Sequence, residues 1–225
     1  MNAARQLPEL TEPVEDYLKA IYELELAGTA AATTDLATHL GVAPASVTGM
    51  VRRLADQGLL THEPYRGVRL TQQGRRSALR TLRRHRIIEC YLVQALGYGW
   101  DEVHDEAERL EHSASEDLID RMARTIGEPT VDPHGAPIPT REGAVDETDY
   151  VTLVQLTAGA KARVMRVSDE DADLLRHLRD LSLMPGSVVQ VLEHAPYGGP
   201  IKLQAGARQV VIGPALAERL LVDPI

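Results

Sequence analysis

The chain has 225 residues, of which 44% are hydrophobic and 25% are charged, as in an ordinary globular protein. That length is enough for two or three small domains, each with a core of its own. Apolar runs stay well short of the roughly 18 residues that a membrane span requires, and the N-terminal residues lack the apolar core of a signal peptide. The single cysteine, Cys90, excludes an internal disulfide framework. We therefore expect a cytoplasmic protein with no membrane contact.

The net charge of −9 is unevenly distributed along the chain. Residues 42–86 contain ten arginines but only two acids, Asp56 and Glu63. This window therefore carries about +8 and the remainder about −17, which is typical of a local basic surface that binds nucleic acid. A solvated helix face would leave the same pattern.

The first segment, residues 1–72, has the pattern of a winged helix-turn-helix. Apolar residues recur at helical spacing over 14–24, which predicts a first helix. Thr33 and Thr34 are candidate caps of the next helix, and Gly41 forms a tight turn before the third. The two short helices are predicted over 35–40 and 44–57. Two short strands follow over 59–63 and 68–71 and form a basic hairpin.

The second segment, residues 73–148, is predicted to be helical and to end in a Pro-rich linker over 128–148. The predicted helices begin at Thr71, near Asp101 and after a break that the cap-type residues Ser113 and Ser115 mark. The first of them extends to about Leu96. A helix of that length with apolar faces in so small a unit commonly pairs with a copy of itself, which indicates a homodimer.

The third segment, residues 149–225, contains four β-type runs and one helix at about 169–181. The runs cover 162–167, 188–193, 201–204 and 209–212. Glycine, proline and other turn residues separate them, so we expect a small β-barrel. The predicted fold class is mainly α with a small β part.

Imidazole and carboxylate side chains recur on two of the predicted helices. Four of them fall within an arc of about 100° on one helix face: His104, Glu108, Glu111 and His112. The preceding helix offers His85 and Glu89, four residues apart. Such groups converging between two helices are typical of metal sites. Salt bridges to Arg84, Arg86 and Arg109 would explain the same residues without a metal, and the spacing alone leaves both interpretations open.

Several runs of residues match a known family. They are Asp16–Leu24, Arg84–Arg86 with Glu89, Val103–Ala107, Glu111–His112, Leu183–Ser187 and Ala217–Val222. Together they resemble the DtxR/MntR family, the diphtheria-toxin-repressor type of metal-dependent regulators, over essentially the whole chain. The resemblance implies an N-terminal winged helix-turn-helix, a helical metal-binding and dimerisation domain, and a C-terminal FeoA-type, SH3-like barrel. It also implies a repressor of metal homeostasis, not an enzyme, that binds palindromic double-stranded operator DNA as a homodimer.

The resemblance implies two metal sites. The primary site consists of Asp16, Glu108, Glu111 and His112. The second site uses His85, Glu89 and His104. In the longer members the C-terminal domain adds a ligand to this second site, for which Glu170, Asp171 and Asp173 are the candidates, and we choose Asp171.

The ligand types indicate manganese. Iron-responsive members place Met and Cys where this chain has Asp16 and Glu108, and oxygen ligands suit the harder Mn²⁺. Fe²⁺ is the alternative ion. The compact manganese members also carry an acid where this chain has Lys19, so we do not expect their closely spaced two-metal cluster here.

The predicted DNA-reading residues follow from the helix-turn-helix. Small side chains begin its second helix, where base edges are approached in the major groove: Ala43, Ala45, Ser46, Thr48 and Gly49. Arginines at the end of that helix and in the wing are better placed for phosphates: Arg52, Arg53, Arg66 and Arg69. Gly49 stands where some relatives carry Gln, so we expect more reliance on DNA shape. Ordinary solvent exposure would also explain Ser46 and Thr48.

An electrostatic mechanism connects the two kinds of site. Asp16 belongs to the DNA-binding segment, whereas Glu108 and Glu111 belong to the helical one. Without metal these carboxylates repel, each pair at about 4 Å costing on the order of 4 kcal/mol at an effective dielectric of 20. We hypothesise that a divalent ion ties the first helix to the dimerising domain and so sets the spacing of the two recognition helices.

Three other functions compete with this interpretation. A metallohydrolase would use the same ligands, but the sequence has neither an HExxH motif nor a Gly-rich phosphate loop. A winged-helix sensor of an organic ligand would use the His and Glu cluster only structurally. An Fe²⁺-dependent repressor would share the fold and the mechanism.

Overall fold

The computed structural model describes residues 10–26, 30–63, 67–146, 148–167 and 171–225, and they form two compact units. The first unit comprises the described residues up to Arg84, together with Glu111–Ser113 and Pro139–Ala144. The second comprises His85–Leu110, Ala114–Ile138 and the described residues from Val145 onward.

The first unit contains the predicted winged helix-turn-helix. Its elements are α1 (Glu12–Leu26), α2 (Thr33–His39), α3 (Pro44–Asp56), β1 (Leu60–Glu63) and β2 (Gly67–Leu70). β1 and β2 pair antiparallel, with Leu60 opposite Leu70. The order and type of the elements are confirmed. The predicted cap is wrong, because α2 has Ala32 as its N-cap and Thr33 is its first residue.

Fully buried apolar side chains from all these parts form the core of the first unit: Leu18, Ile21, Leu36, Val47, Leu54 and Val68. Helix α4 (Gln72–Leu96) begins after Thr71, whose Oγ1 accepts a hydrogen bond from Gly74 N over 3.1 Å. A Cβ atom at Gly74 would lie 2.1 Å from Leu59 O, so the close approach of the wing requires glycine in this first turn.

The first helices of the second unit are the remainder of α4, α5 (Val103–Glu111, whose last residue belongs to the first unit) and α6 (Glu116–Thr125). Their core is an apolar cluster that includes Ile87, Ile88, Val103, Ala107 and Ile119. Of the two cap-type residues before α6, Ser115 is its N-cap, and its side chain accepts a hydrogen bond from Leu118 N. No helix among the described residues is long and apolar enough to cross a membrane.

A six-stranded antiparallel sheet forms the C-terminal part of the second unit. Its strands are β3 (Val151–Thr152), β4 (Lys161–Val167), β5 (Val188–His194), β6 (Ile201–Ala205), β7 (Arg208–Ile212) and β8 (Leu220–Pro224), in the order β3-β8-β4-β5-β6-β7. Helices α7 (Ala172–Asp180) and α8 (Pro214–Ala217) complete this part. The predicted fold class is confirmed. β8 was not predicted, although it pairs with both β3 and β4.

Candidate metal centres and DNA-reading surface

The first candidate metal centre lies in the first unit, where α1 meets Glu111–Ser113. His112 directly follows α5, and its Nε2 lies 2.8 Å from Asp16 Oδ1. Its Nδ1 lies 2.8 Å from Glu15 Oε2. Two consecutive carboxylates of α1 therefore contact opposite nitrogens of one imidazole. Burial alone would lower the pKa of His112, but the contacts with Asp16 and Glu15 and the charge of Glu111 raise it to about 10.

Two buried ion pairs surround this imidazole. Arg84 Nη2 donates a 2.6 Å hydrogen bond to Glu15 Oε1. Burial raises the pKa of Glu15, but hydrogen bonds from His112 and Arg84 outweigh it and hold the pKa below its usual value. Lys19 Nζ donates to Glu111 Oε1 over 2.8 Å, with both side chains almost fully buried. The carboxylates in this centre are therefore compensated by cations of the chain itself. The repulsion that the sequence predicted is correspondingly weaker.

Three of the four predicted primary ligands lie in the first unit, namely Asp16, Glu111 and His112, whereas Glu108 lies in the second. Asp16 and His112, together with Glu12, each offer one ligand atom, and these atoms lie within 4.8 Å of one another. Glu111 Oε1 lies 3.5 Å from His112 Nε2. Carboxylate oxygens with one imidazole nitrogen fit a hard or borderline divalent cation such as Mn²⁺. Sequence reasoning missed Glu12 and Glu15.

The second candidate metal centre lies in the second unit around Glu89, whose side chain is fully buried. Glu89 Oε1 lies 3.2 Å from His85 Nε2, 3.7 Å from His104 Nδ1 and 3.8 Å from His134 Nδ1. Burial alone would raise the pKa of Glu89, but the charge of His85 and the contacts with His104 and His85 hold it well below its usual range. The predicted residues His85, Glu89 and His104 are thus brought together.

Two separate ligand groupings lie in this second centre. His85, His104 and Glu108 offer ligand atoms within 4.8 Å of one another, with Glu108 Oε1 3.5 Å from His85 Nδ1. Glu89, Asp132 and His134 form a second grouping by the same measure, and all three are buried. Sequence reasoning did not find Asp132 or His134. It interpreted their segment as a linker.

A tight turn presents His134. Asp132 Oδ1 accepts hydrogen bonds from the backbone amides of His134 and Ala136, over 2.8 and 2.9 Å. Arg86 Nε lies 3.3 Å from Asp132 Oδ2 and compensates its charge. His134 Nε2 lies 2.8 Å from Trp100 O, which can only accept, so Nε2 carries a proton and Nδ1 faces Glu89. The run Asp-Pro-His-Gly over 132–135 was the available sequence signal, because Asp and Gly favour such turns.

Gly135 fixes this turn against the sheet. Its φ is +89°, and an added Cβ would lie 1.8 Å from Met165 O in β4. The amide of Val167 donates to His134 O over 3.0 Å. Only glycine fits so close to the strand in this conformation. The second centre is therefore attached directly to the C-terminal sheet.

The predicted ligand Asp171 is an exposed N-cap of α7. Its Oδ1 accepts hydrogen bonds from the amides of Asp173 and Leu174, over 2.9 and 3.2 Å. Asp173 pairs with Arg176. Glu170, the third candidate, lies outside the described residues. A ligand role for Asp171 stays a prediction.

The predicted DNA-reading residues that the structure describes are each exposed in the first unit. The exposed residues are Ala43, Ala45, Ser46, Thr48, Gly49, Arg52, Arg53 and Arg69. Thr48 Oγ1 donates to Pro44 O over 3.1 Å, so its hydroxyl is engaged with the backbone of α3. A Cβ at Gly49 would meet no atom within 4 Å. Arg66 lies outside the described residues.

Three family models match successive parts of the chain. The model for the iron dependent repressor N-terminal DNA binding domain matches residues 9–68. The model for the iron dependent repressor metal binding and dimerisation domain matches residues 71–140. The FeoA domain model matches residues 151–224.

Among the relatives that match nearly the whole chain, some are named iron-dependent and others manganese-dependent. The iron-dependent repressor IdeR of Mycobacterium tuberculosis is 34% identical over 229 residues, covering 96% of this chain and 99% of the relative. A solved structure described as a manganese-dependent transcriptional repressor in complex with manganese has a TM-score of 0.87 and 36% identity, covering 94% of this chain and 100% of that one. The structure of ScaR with bound Cd²⁺ has a TM-score of 0.82 and 30% identity, covering 94% and 99%.

Proposed function

We propose that Mn²⁺ activates this chain, which belongs to the iron dependent repressor family. The members of that family are metal-dependent, DNA-binding transcriptional repressors and not enzymes. In this proposal the metal-loaded chain binds palindromic operator DNA as a homodimer in the cytoplasm and represses genes of metal homeostasis. The observation that carries the choice of ion is the donor set of the first centre. Asp16 and His112 supply oxygen and nitrogen, and Glu111 and Glu108 are proposed to add oxygen.

Sulfur takes no part in the proposed sites. The single cysteine, Cys90, is buried, and its thiol lies 3.4 Å from Val131 O. Burial, together with the negative charges of Asp132 and Glu89, raises the pKa of this thiol and disfavours the thiolate that would bind a softer ion. Relatives described as manganese-dependent support the same choice. Fe²⁺ is the second candidate, because relatives of similar identity are named iron-dependent.

We propose that Glu89 is the central ligand of a second site. His85 and His104 contact it from the helices, and His134 reaches it from the turn after α6. The proton on His134 Nε2 is engaged by a backbone carbonyl, which is the usual arrangement for a metal-binding imidazole. In this arrangement His134, and not Asp171, completes the second site.

In the proposed mechanism a bound metal ion fixes α1 beside Glu111–Ser113. A divalent cation would be held by Asp16 and His112 and would supply positive charge there. His112 releases the proton on Nε2, keeps the one on Nδ1, and so remains hydrogen-bonded to Glu15. α1 is then held firmly beside Glu111–Ser113, and with it the winged helix that α1 packs into. Thermodynamic linkage requires operator DNA to tighten ion binding by the same factor.

Operator binding titrated with different ions tests the proposal. The chelator-treated chain is mixed with operator DNA at buffered free Mn²⁺, Fe²⁺ (without oxygen), Co²⁺ and Zn²⁺. We expect Mn²⁺ to give tight operator binding at free concentrations that cells supply. With chelator we expect no operator binding. Activation by Fe²⁺ alone would favour the second candidate. Ion-independent operator binding would contradict both.

A further inference from the structure

Glu15 is a buried carboxylate beside a half-buried one. Its side chain is 6% exposed, whereas that of its neighbour Asp16 is 34% exposed. Asp16 is therefore partly accessible from water, and Glu15 is not. Yet both contact the same ring, Glu15 at Nδ1 and Asp16 at Nε2 of His112.

Both oxygens of Glu15 are already engaged. Oε1 accepts from Arg84 over 2.6 Å, and Arg80 Nη2 lies 3.5 Å from the same atom. Oε2 lies 2.8 Å from His112 Nδ1. A buried carboxylate that has lost its water is retained as the anion only when such partners compensate it. Glu15 is thus built to act on the imidazole rather than to bind an ion itself.

We infer that Glu15 is the positioning residue of the first metal site: it holds the proton of His112 on Nδ1 and directs Nε2 toward the ion. This inference rests on the proposed function. A carboxylate that accepts the second N–H of a ligating imidazole fixes its tautomer and ring orientation and makes the other nitrogen a better donor. Arg84 supplies the compensating charge that keeps Glu15 ionised in its buried position.

The test compares Glu15→Gln with a matched control, Glu23→Gln. Glu23 lies on the same helix and also pairs with a histidine, His39, over 3.2 Å, but away from the site. The free Mn²⁺ signal in electron paramagnetic resonance gives the affinity of each full-length chain. We expect Glu15→Gln to weaken Mn²⁺ binding by about 10- to 100-fold, and the control to match wild type.

Two further measurements separate positioning from a merely structural role. In a His112→Ala background, Glu15→Gln should cause no additional loss of affinity, since its effect passes through that ring. In the Zn²⁺-loaded wild-type chain, nuclear magnetic resonance should show a downfield, strongly hydrogen-bonded Nδ1 proton of His112, and the variant should lose it. Should Glu15→Gln fail to fold, the double variant Glu15→Gln/Arg84→Gln removes both charges together and should show the same loss.

The outcomes distinguish this inference from the proposed function. Wild-type affinity in Glu15→Gln, or an equal loss in the His112→Ala background, would overturn the inference while the site itself stands. If Asp16→Ala binds Mn²⁺ as tightly as wild type in the same series, the proposed site is wrong instead.

Discussion

Lys19 Nζ lies 2.8 Å from Glu111 Oε1, and both side chains are buried. The chain thus provides one positive charge of its own to the acidic centre between α1 and Glu111–Ser113. This ion pair gives a physical reason to expect one divalent ion rather than a close pair at the first site, because an ammonium already compensates Glu111.

Replacing Lys19 with Met should make stability depend on metal. Glu111 would keep its buried charge without the ammonium, which costs about 3–5 kcal/mol of unfolding free energy. Mn²⁺ should restore much of this loss, so urea unfolding is measured with chelator and with saturating Mn²⁺. The exposed Lys161, changed to Met, serves as the control. A loss that is equally large with Mn²⁺ would show that the pair is unrelated to the ion.

Mn²⁺ binding at the first site should release protons. The pKa of His112 is raised from 6.5 to about 10, so the ring is protonated at neutral pH, and Nε2 must lose its proton to bind an ion. Affinity should therefore rise with pH, by up to about tenfold per unit below pH 10. Calorimetry in buffers of different ionisation enthalpy counts the released protons. An affinity that stays constant between pH 6 and 8 would be inconsistent with this.

The same shift has a consequence for stability in the absence of added metal. Because the folded-state pKa of His112 lies above its unfolded value, the protonated ring stabilises the fold. This contribution is complete below pH 6.5 and is lost as the pH rises toward 10. Thermal unfolding of the chelator-treated chain across that range should show it, and a His112→Gln variant should not.

Gly135→Ala should displace His134 from the second site. The added methyl would collide with Met165 O, and the positive φ would be strained, together costing about 3 kcal/mol. Ion stoichiometry and urea unfolding are the measurements. Gly198→Ala is the control, because its φ is also positive, +71°, but its Cβ would meet no atom within 4 Å. Unchanged stability and stoichiometry in Gly135→Ala would contradict the close packing of the turn.

Arg52→Ala should weaken DNA binding without changing which sequences are preferred. Arg52 is exposed on α3 and is predicted to contact a phosphate. Losing one such contact should reduce the slope of log affinity against log salt concentration by about one. Arg121→Ala, on the exposed face of α6, is the control. An altered sequence preference in Arg52→Ala would assign it to base reading instead.

Local patterns sufficed to predict the winged helix and several of the candidate metal ligands on the helices. Helical spacing brought out His85 with Glu89 and placed His104 and Glu111 on the next helix, because the positions of side chains around a helix depend only on the local backbone. The boundary of α2 was less accurate: the helix begins at Thr33 itself, and its N-cap Ala32 has no side chain that could make a cap hydrogen bond.

Features that depend on tertiary packing were missed. In the sequence, Glu15 resembles an ordinary surface acid. Its contacts with Arg84 and His112 become visible only in the folded structure. His134 sits among prolines, and nothing in its neighbours indicates that the turn packs on β4 beneath Glu89. The predicted repulsion among carboxylates counted only like charges and left out Lys19, which lies nearly a hundred residues away in sequence from the acid that it neutralises.

Operator binding by Asp16→Ala at saturating Mn²⁺ tests the central claim most directly. Asp16 is half-buried on α1 and contacts His112, so its loss should remove the hold of the ion on that helix while leaving the buried pairs intact. We predict that metal-dependent operator binding disappears in a variant whose circular dichroism and dimerisation match wild type. Wild-type operator affinity with unchanged Mn²⁺ dependence in that folded variant would contradict the account.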